Sequence, residues 1–411
     1  MSKTADRVTQ FTAEQIKTLS LRLKQRKADR GATPPAIVRV GRTETLPLSF
    51  AQQRLWFIDR LSGGGDAAYN VPVAVRLRGA LDIPALSASL SEIVRRHEVL
   101  RTTFPTVASA PVQRIHDPQP VPLPVTDLSH LSLSEREQAA RELTAAEVTR
   151  PFDLVSDSLL LRASLIRLDE QEHVLIVVLH HIVSDGWSTG VLVEEFGQLY
   201  AAYTEGRPSP LPDLPIQYAD YAVWQREWLT GEVLESQLSY WRTQLAGMER
   251  LELTPDVVTH GASTAATSTA TTSLSTSASA ASTASSSTAT PTPPPAAGAT
   301  VRFTASGELT AALHEAARRE GVTLFMLLTA AFQLLLSRHS GQADIAIGTD
   351  IANRNRLETE PLVGFFINQL VLRARLDECA GVRDLLAQVR ETVLGAYAHQ
   401  ELPFERLVED V

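Results

Sequence analysis

Two apolar runs joined by a short acidic turn constrain this chain more than any other feature. Residues 159–168 and 173–180 read as β-strands, and Asp169-Glu170-Gln171-Glu172 between them predicts a hairpin. From Val174 to Leu179 the second run is continuously apolar, so its strand belongs inside a sheet. That strand leads into His180-His181-Ile182-Val183-Ser184-Asp185-Gly186-Trp187-Ser188, which sets titratable imidazole at the mouth of a buried sheet. Neighbouring side chains of an extended segment point to opposite faces. One of His180 and His181 therefore faces a cleft while the other faces packing. Asp185-Gly186 predicts a turn that returns the carboxylate, either to orient a histidine or to pair with an arginine. On the residues alone, acid-base chemistry and two satisfied core histidines both remain open.

The rest of the chain supplies the frame. At 411 residues it is too long for one ordinary core, and two domains are expected. Thr12 to Gln15 resembles a capping box, and Ile16, Leu19 and Leu23 recur at helical spacing, predicting a short N-terminal helix. Residues 27–45 are polar and irregular and read as a linker, with order beginning near Leu46. Helices are predicted over 46–60 (with Ser49 near the cap), 84–96, 189–203, 218–245, 324–336 and 382–399. Further strands are predicted over 71–77, 344–348 and 370–376. The mixture lacks regular βαβ alternation and favours an α+β fold over a doubly wound sheet. Residues 260–300 are almost wholly Ser, Thr, Ala and Pro and cannot bury enough apolar surface to offset their ordering entropy. A disordered insertion is expected there.

Composition narrows the function classes. A net charge of -9 argues against nucleic acid or an anionic membrane as the main partner. The single cysteine, Cys379, leaves no internal disulfide framework and suits a reducing cytoplasm. No signal peptide is evident, and the most apolar segment, 324–336, is too short to span a bilayer. A metal reading of the histidine pair fails because opposed side chains do not share one ion and no third ligand stands at a recognisable spacing. Gly186-Trp187-Ser188-Thr189-Gly190 matches the G-x-S-x-G nucleophile elbow, but the apolar strand ends at Leu179, well before Ser188.

His180-His181-x-x-x-Asp185-Gly186 resembles the HHxxxDG signature of nonribosomal peptide synthetase condensation domains. Other segments resemble further motifs of that family, in family order: residues 48–57 (LSFAQQRLWF), 96–104 (RHEVLRTTF), 218–225 (YADYAVWQ), 347–349 with 352–354 (IGT and ANR), 364–368 (GFFIN) and 399–404 (HQELPF). The resemblance covers Leu46 to the C-terminus. It departs from the family at the Ser/Thr/Ala tract, where the family has an ordered connection, and after Phe404, where the family continues further.

The resemblance implies an α+β fold of two chloramphenicol acetyltransferase-like lobes, a V-shaped pseudo-dimer with a central substrate tunnel. The expected division is 1–45 for helix and linker, 46–222 for the lobe carrying HHxxxDG, and 223–411 for the second lobe with its insertion. The implied reaction is amide formation between two carrier-protein-bound thioesters, with no cofactor of the domain's own. Upstream donor and downstream acceptor carrier proteins would present substrates on phosphopantetheine beside adenylation domains, in the cytoplasm, with neither nucleic acid nor membrane involved. His181, His180, Asp185 and Gly186 are the implied catalytic-loop residues. Arg354 is the first partner to test for Asp185, and Arg101 the second. Trp187, Ser188, Ser49, Gln53 and Asn368 are candidates to line the tunnel, while Tyr218, Tyr221 and Trp224 are expected to pack. The phrases at 49–56 and 181–188 look like the subtype joining two L-residues. A starter subtype taking an acyl donor, an epimerisation domain and a degenerate recruitment domain are the alternatives.

Overall fold

The computed structural model describes residues 34–42, 45–253 and 303–410. The elements in chain order are β1 (Leu46–Pro47), α1 (Phe50–Leu61), β2 (Asn70–Arg78), α2 (Ile83–Arg96), β3 (Thr102–Thr103), β4 (Thr106–Val107), β5 (Ala110–Ile115), β6 (Val125–Asp127), α3 (Leu133–Thr149), β7 (Leu161–Asp169) and β8 (Glu172–His180). They continue with α4 (Gly186–Thr204), α5 (Tyr218–Trp228), α6 (Gly231–Leu245), α7 (Gly307–Arg319), α8 (Leu324–Ser340), β9 (Asp344–Ile351), β10 (Asn368–Arg375), α9 (Val382–Ala398) and α10 (Phe404–Asp410).

The expected hairpin is the centre of the main sheet. Its order is β2-β8-β7-β6, with β8 antiparallel to both neighbours and β6 parallel to β7. Asn70 stands opposite His180, which fixes the end of β8 against β2. Both faces are covered: Leu165 and Leu175 pack with Leu86, Phe196 and Tyr200, while Ile166, Ile176 and Val178 join the larger core. A smaller sheet gathers β1, β3 and β4 around β5, all antiparallel. Strands β9 and β10 form a separate pair.

Packing divides the chain into two units, Met1–Glu249 with Ala346–Arg373 and Glu391–Val411, and Arg250–Ile345 with Ala374–Arg390. In the first, one apolar cluster runs from Ile37 through the sheet to Phe366. The second holds α7 and α8. Thr323 caps the N-terminus of α8 through Met326 N–H, and Gly341, at φ +75°, ends it in the left-handed region. The expected boundary at 222/223 falls inside α5, whose Ala219, Tyr221 and Ala222 are all buried, so no break in packing occurs there.

Other expectations are corrected locally. Leu46 and Pro47 are a strand opposite Gln113 and Val112, because the helix begins only after Ser49 caps it. The expected helix over 218–245 is two, with Gly231 at φ +52° starting the second. Helix α3 was not expected: most of its apolar residues are small alanines and only Ala140 is buried, so it carries almost no apolar periodicity. Part of the expected linker is packed rather than free. Ile37 lies in the core, Trp224 Nε1–H donates to Pro35 O at 2.9 Å, and Val40 N–H to Asp220 Oδ1 at 2.9 Å. The expected N-terminal helix and the insertion at 260–300 lie outside the described residues.

Candidate active site

Strand β8 delivers His180 and a 3₁₀ turn, His181–Val183, carries its neighbour. The two imidazoles are held in opposite tautomers. His180 Nδ1 accepts from Ile182 N–H at 3.1 Å, so its proton sits on Nε2, which is buried and has no hydrogen-bond partner among the described residues. His181 Nδ1 lies 2.7 Å from Ser184 O. A carbonyl oxygen only accepts, so Nδ1 carries the proton, and in the neutral ring Nε2 keeps its lone pair. No hydrogen bond from a described residue reaches that lone pair.

Burial separates the pair further. His180 is 1% exposed among Tyr69 and Phe152, at ring distances of 6.2 and 6.1 Å. Desolvation, reinforced by the nearby ionisable His181 and the Arg162 guanidinium, pushes its pKa down to about 3. It is neutral and has no free lone pair. His181 is half-buried and packs edge-on against Phe365 at 4.9 Å.

Asp185 caps α4 and is 1% exposed. Its Oδ1 accepts from Ser188 N–H at 2.8 Å, from Ser188 Oγ at 2.7 Å and from Arg354 Nη2 at 3.1 Å; its Oδ2 accepts from Phe366 N–H at 3.1 Å. Every bond is spent on the loop and none on a histidine. Arg354, also fully enclosed at its side chain, donates in addition to Ser188 Oγ and to the carbonyls of Thr359 and Leu362. Burial pulls the Arg354 pKa down while Asp185 opposes that shift. Breaking such a buried pair strands a charge, at about 3–5 kcal/mol. Arg101 is not part of this lattice: its guanidinium bonds the carbonyls of Val94, Arg95 and His116, tying off the end of α2.

The five lining candidates fare differently. Ser188 is 0% exposed and bonded to Asp185, Arg354 and Gly364, three residues into α4, so it lies neither on an elbow nor on an open wall. Ser49, also 0% exposed, caps α1 and contacts Tyr218 Oη at 2.8 Å. Asn368 is buried and staples the C-terminal loop through Gln400 O, Leu402 O and Phe404 N–H. Gln53 is on the exposed side of α1, bonded to Arg226. Only Trp187 combines an open face with the loop: it is 45% exposed, and its Nε1–H donates to Glu360 O at 2.9 Å. It borders a cleft of about 710 Å³ together with Gly186, Gly190, Val191 and Pro361.

Gly186, in the first turn of α4, is exposed, and nothing lies within 4 Å of where a Cβ would stand. The fold itself does not demand glycine there. At Gly364 it does: a Cβ would sit 1.9 Å from Tyr218 Cδ2. The residue that sequence reasoning missed is Gln52, wholly buried, whose Nε2 donates to Ile182 O at 3.3 Å. The signal was present in part, since Ser49-x-x-Gln52 is a capping-box pattern, which turns the glutamine back onto the Ser49 backbone.

Comparison with known proteins places the chain in a family. The condensation-domain family model matches residues 42–411. In Brevibacillus parabrevis, a linear gramicidin synthase is 47% identical over 385 residues, 92% of this chain and 7% of that protein. Phosphinothricin tripeptide synthetase PhsC of Streptomyces viridochromogenes is 41% identical over 366 residues, 89% of this chain and 31% of its own length. The chain thus spans less than a third of either relative. Among solved structures, the X-domain from teicoplanin biosynthesis superposes with a TM-score of 0.74 at 30% identity, covering 92% of this chain and 75% of that one. The first condensation domain of the calcium-dependent antibiotic synthetase shares the fold, with a TM-score of 0.67 at 22% identity over 90% of this chain and 78% of its own. The architecture is the α+β, chloramphenicol acetyltransferase-like one, and the chain belongs to the condensation-domain family of nonribosomal peptide synthetases.

Proposed function

We propose that this domain joins an acceptor aminoacyl group to a donor aminoacyl or peptidyl group, both held as thioesters on the phosphopantetheine of carrier proteins. The single observation that carries the reading is the His181 tautomer: Nδ1–H is fixed on Ser184 O, which leaves Nε2 as a base. A thioester is already activated, so most of the barrier lies in bringing two tethered groups into register. The acceptor α-amine, with a pKa of roughly 8, is partly neutral at physiological pH. Its lone pair attacks the donor carbonyl, and the C–N bond forms. His181 Nε2 takes a proton from the nitrogen. The C–S bond then breaks, and the pantetheine thiolate leaves with that proton. A positioned base of this kind contributes about 10²–10⁴-fold. Gly186 leaves room for substrate to approach the backbone, and its N–H is the candidate donor to the developing oxyanion.

The subtype joining two L-residues is the reading of choice from the phrases at 49–56 and 181–188, with donor and acceptor carriers and an adenylation domain as cytoplasmic neighbours. No single described helix is long and apolar enough to cross a membrane. The test mixes the chain with donor-loaded and acceptor-loaded carrier proteins and reads dipeptidyl thioester by mass spectrometry. Product is expected from the native chain, with at least a hundredfold loss in His181→Ala. Undiminished product from that variant removes His181 as the base. One observation favours a second reading: among the similar structures is an X-domain solved in complex with OxyB, at a TM-score of 0.73. A recruitment domain of that kind would give no amide with any carrier pair.

A further inference from the structure

We infer that the N-terminus of α1 is a positioning device for His181, acting through two arms, Gln52 and Tyr218. The inference rests on His181 as the base of the proposed reaction.

The first arm reaches the backbone next to the imidazole. Gln52 Oε1 accepts from Ser49 N–H at 3.3 Å, and Nε2 donates to Ile182 O at 3.3 Å. Only one orientation of the amide satisfies both, because one partner only donates and the other only accepts. Ile182 belongs to the single 3₁₀ turn that carries His181. The second arm reaches the aromatic wall. Ser49 Oγ accepts from Gln52 N–H at 3.1 Å, and Tyr218 Oη donates to Phe365 O. The contact of 2.8 Å between the two hydroxyls is therefore donated by Ser49, which gives every proton in the chain a direction. The Phe365 ring is the one packed edge-on against His181.

Ser49 and Gln52 are 0% exposed and Tyr218 is 1% exposed, so neither arm is exchanged with water. Both end on carbonyls, Ile182 O and Phe365 O, that set where the imidazole can stand. Neither arm touches a reacting atom. Their effect is positional, and displacements on the order of 1 Å can cost about 10²-fold in rate.

Two isosteric variants test this in the full chain with donor- and acceptor-loaded carriers. Gln52→Glu keeps the acceptor for Ser49 N–H but sets a carboxylate oxygen against Ile182 O. Tyr218→Phe keeps the ring and removes the bond to Phe365 O. Each is expected to lower kcat by roughly 10–100-fold with KM for the carriers unchanged. Each is also expected to convert the ¹⁵N signature of His181 from the Nδ1–H tautomer to a mixture. Ser89→Ala serves as the control for general loosening. It loses a buried hydroxyl bond to Ala85 O within α2 and is expected to alter neither readout. If His181→Ala abolishes amide formation while both variants keep the native tautomer, positioning is overturned and the base survives, even where kcat falls in step with melting temperature. If His181→Ala remains active, the base reading itself fails. Should Gln52→Glu not fold, Tyr218→Phe decides alone.

Discussion

Adjacent histidines with identical side chains do different work here because each ring nitrogen has a different neighbour. His180 spends its lone pair on Ile182 N–H and buries its proton without a partner among the described residues, while His181 spends its proton on Ser184 O and keeps the lone pair. Strand alternation in the sequence anticipates the split between faces but not the tautomers, which depend on a turn three residues long. The burial of His180 has a consequence in pH. Its pKa falls from the usual 6.5 to about 3, so the unfolded chain binds a proton that the folded chain refuses. Above about pH 6.5 both states are neutral and the residue adds no pH dependence. As pH falls from 6.5 towards 3, stability drops by up to about 1.4 kcal/mol per pH unit from this group. His180→Gln is expected to flatten the slope by that amount between pH 6 and 4.5, read as urea unfolding free energies. An unchanged slope would show that His180 takes up its proton in the native state. His97 stays out of the difference: burial also lowers its pKa, but it donates Nε2–H to Glu195 in both proteins.

At the scale of elements, the N-terminus of α4 is held by a segment far away in sequence. Asp185 and Ser188 from α4 meet Arg354 from the loop after β9, and Gly364 and Phe366 from the loop before β10. The close approach depends on Gly364 having no side chain, since Tyr218 fills that space. Gly364→Ala is expected to cost about 3 kcal/mol or more, because the Tyr218 ring is enclosed and cannot swing away. Combining it with Tyr218→Leu is expected to cost less than the sum of the two single changes, a coupling that a double-mutant cycle in urea measures. Strict additivity would mean the loop relaxes without meeting the ring. These elements also show what was legible in the sequence. The hairpin, the caps of α1 and α8 and the Asp185–Arg354 pair were, since each leaves a local pattern or a motif. Ser49, Ser188 and Asn368 were misplaced on an open wall because a polar residue that pins a buried loop and one that lines a cavity look alike in one dimension. Helix α3 was invisible because so little of it faces a core.

The whole molecule extends further towards the N-terminus than its apolar pattern indicates. The family match begins at residue 42, yet residues 35–42 lie across α5 and the end of α2. Arg42 is the centre of that strap. Its Nε donates to Glu98 Oε2 at 2.6 Å and its Nη1 to Asp220 Oδ1 at 2.7 Å, joining two segments that are distant in sequence. The Asp220 side chain is 0% exposed; Arg42 Nη2 also donates to its Oδ2 at 3.2 Å, and its other bonds among the described residues come from the backbone N–H groups of Val40 and Gln217. Arg39 makes a similar-looking ion pair with Glu98, but at 3.5 Å and with its own side chain 59% exposed. The two arginines should therefore differ sharply in worth. Arg42→Ala leaves a buried carboxylate without its cation, and is expected to cost about 3 kcal/mol, at the lower end for a broken buried pair since Arg42 itself is partly solvated. Arg39→Ala removes a surface pair and is expected to cost under about 1 kcal/mol. Urea unfolding of the full chain and both variants reads the difference. Adding salt separates them again, because screening weakens the exposed Arg39 pair and leaves the Asp220 contact nearly untouched. Equal costs for the two variants would mean that the strap merely rests on the domain and that the fold begins, as its apolar pattern implies, at Leu46.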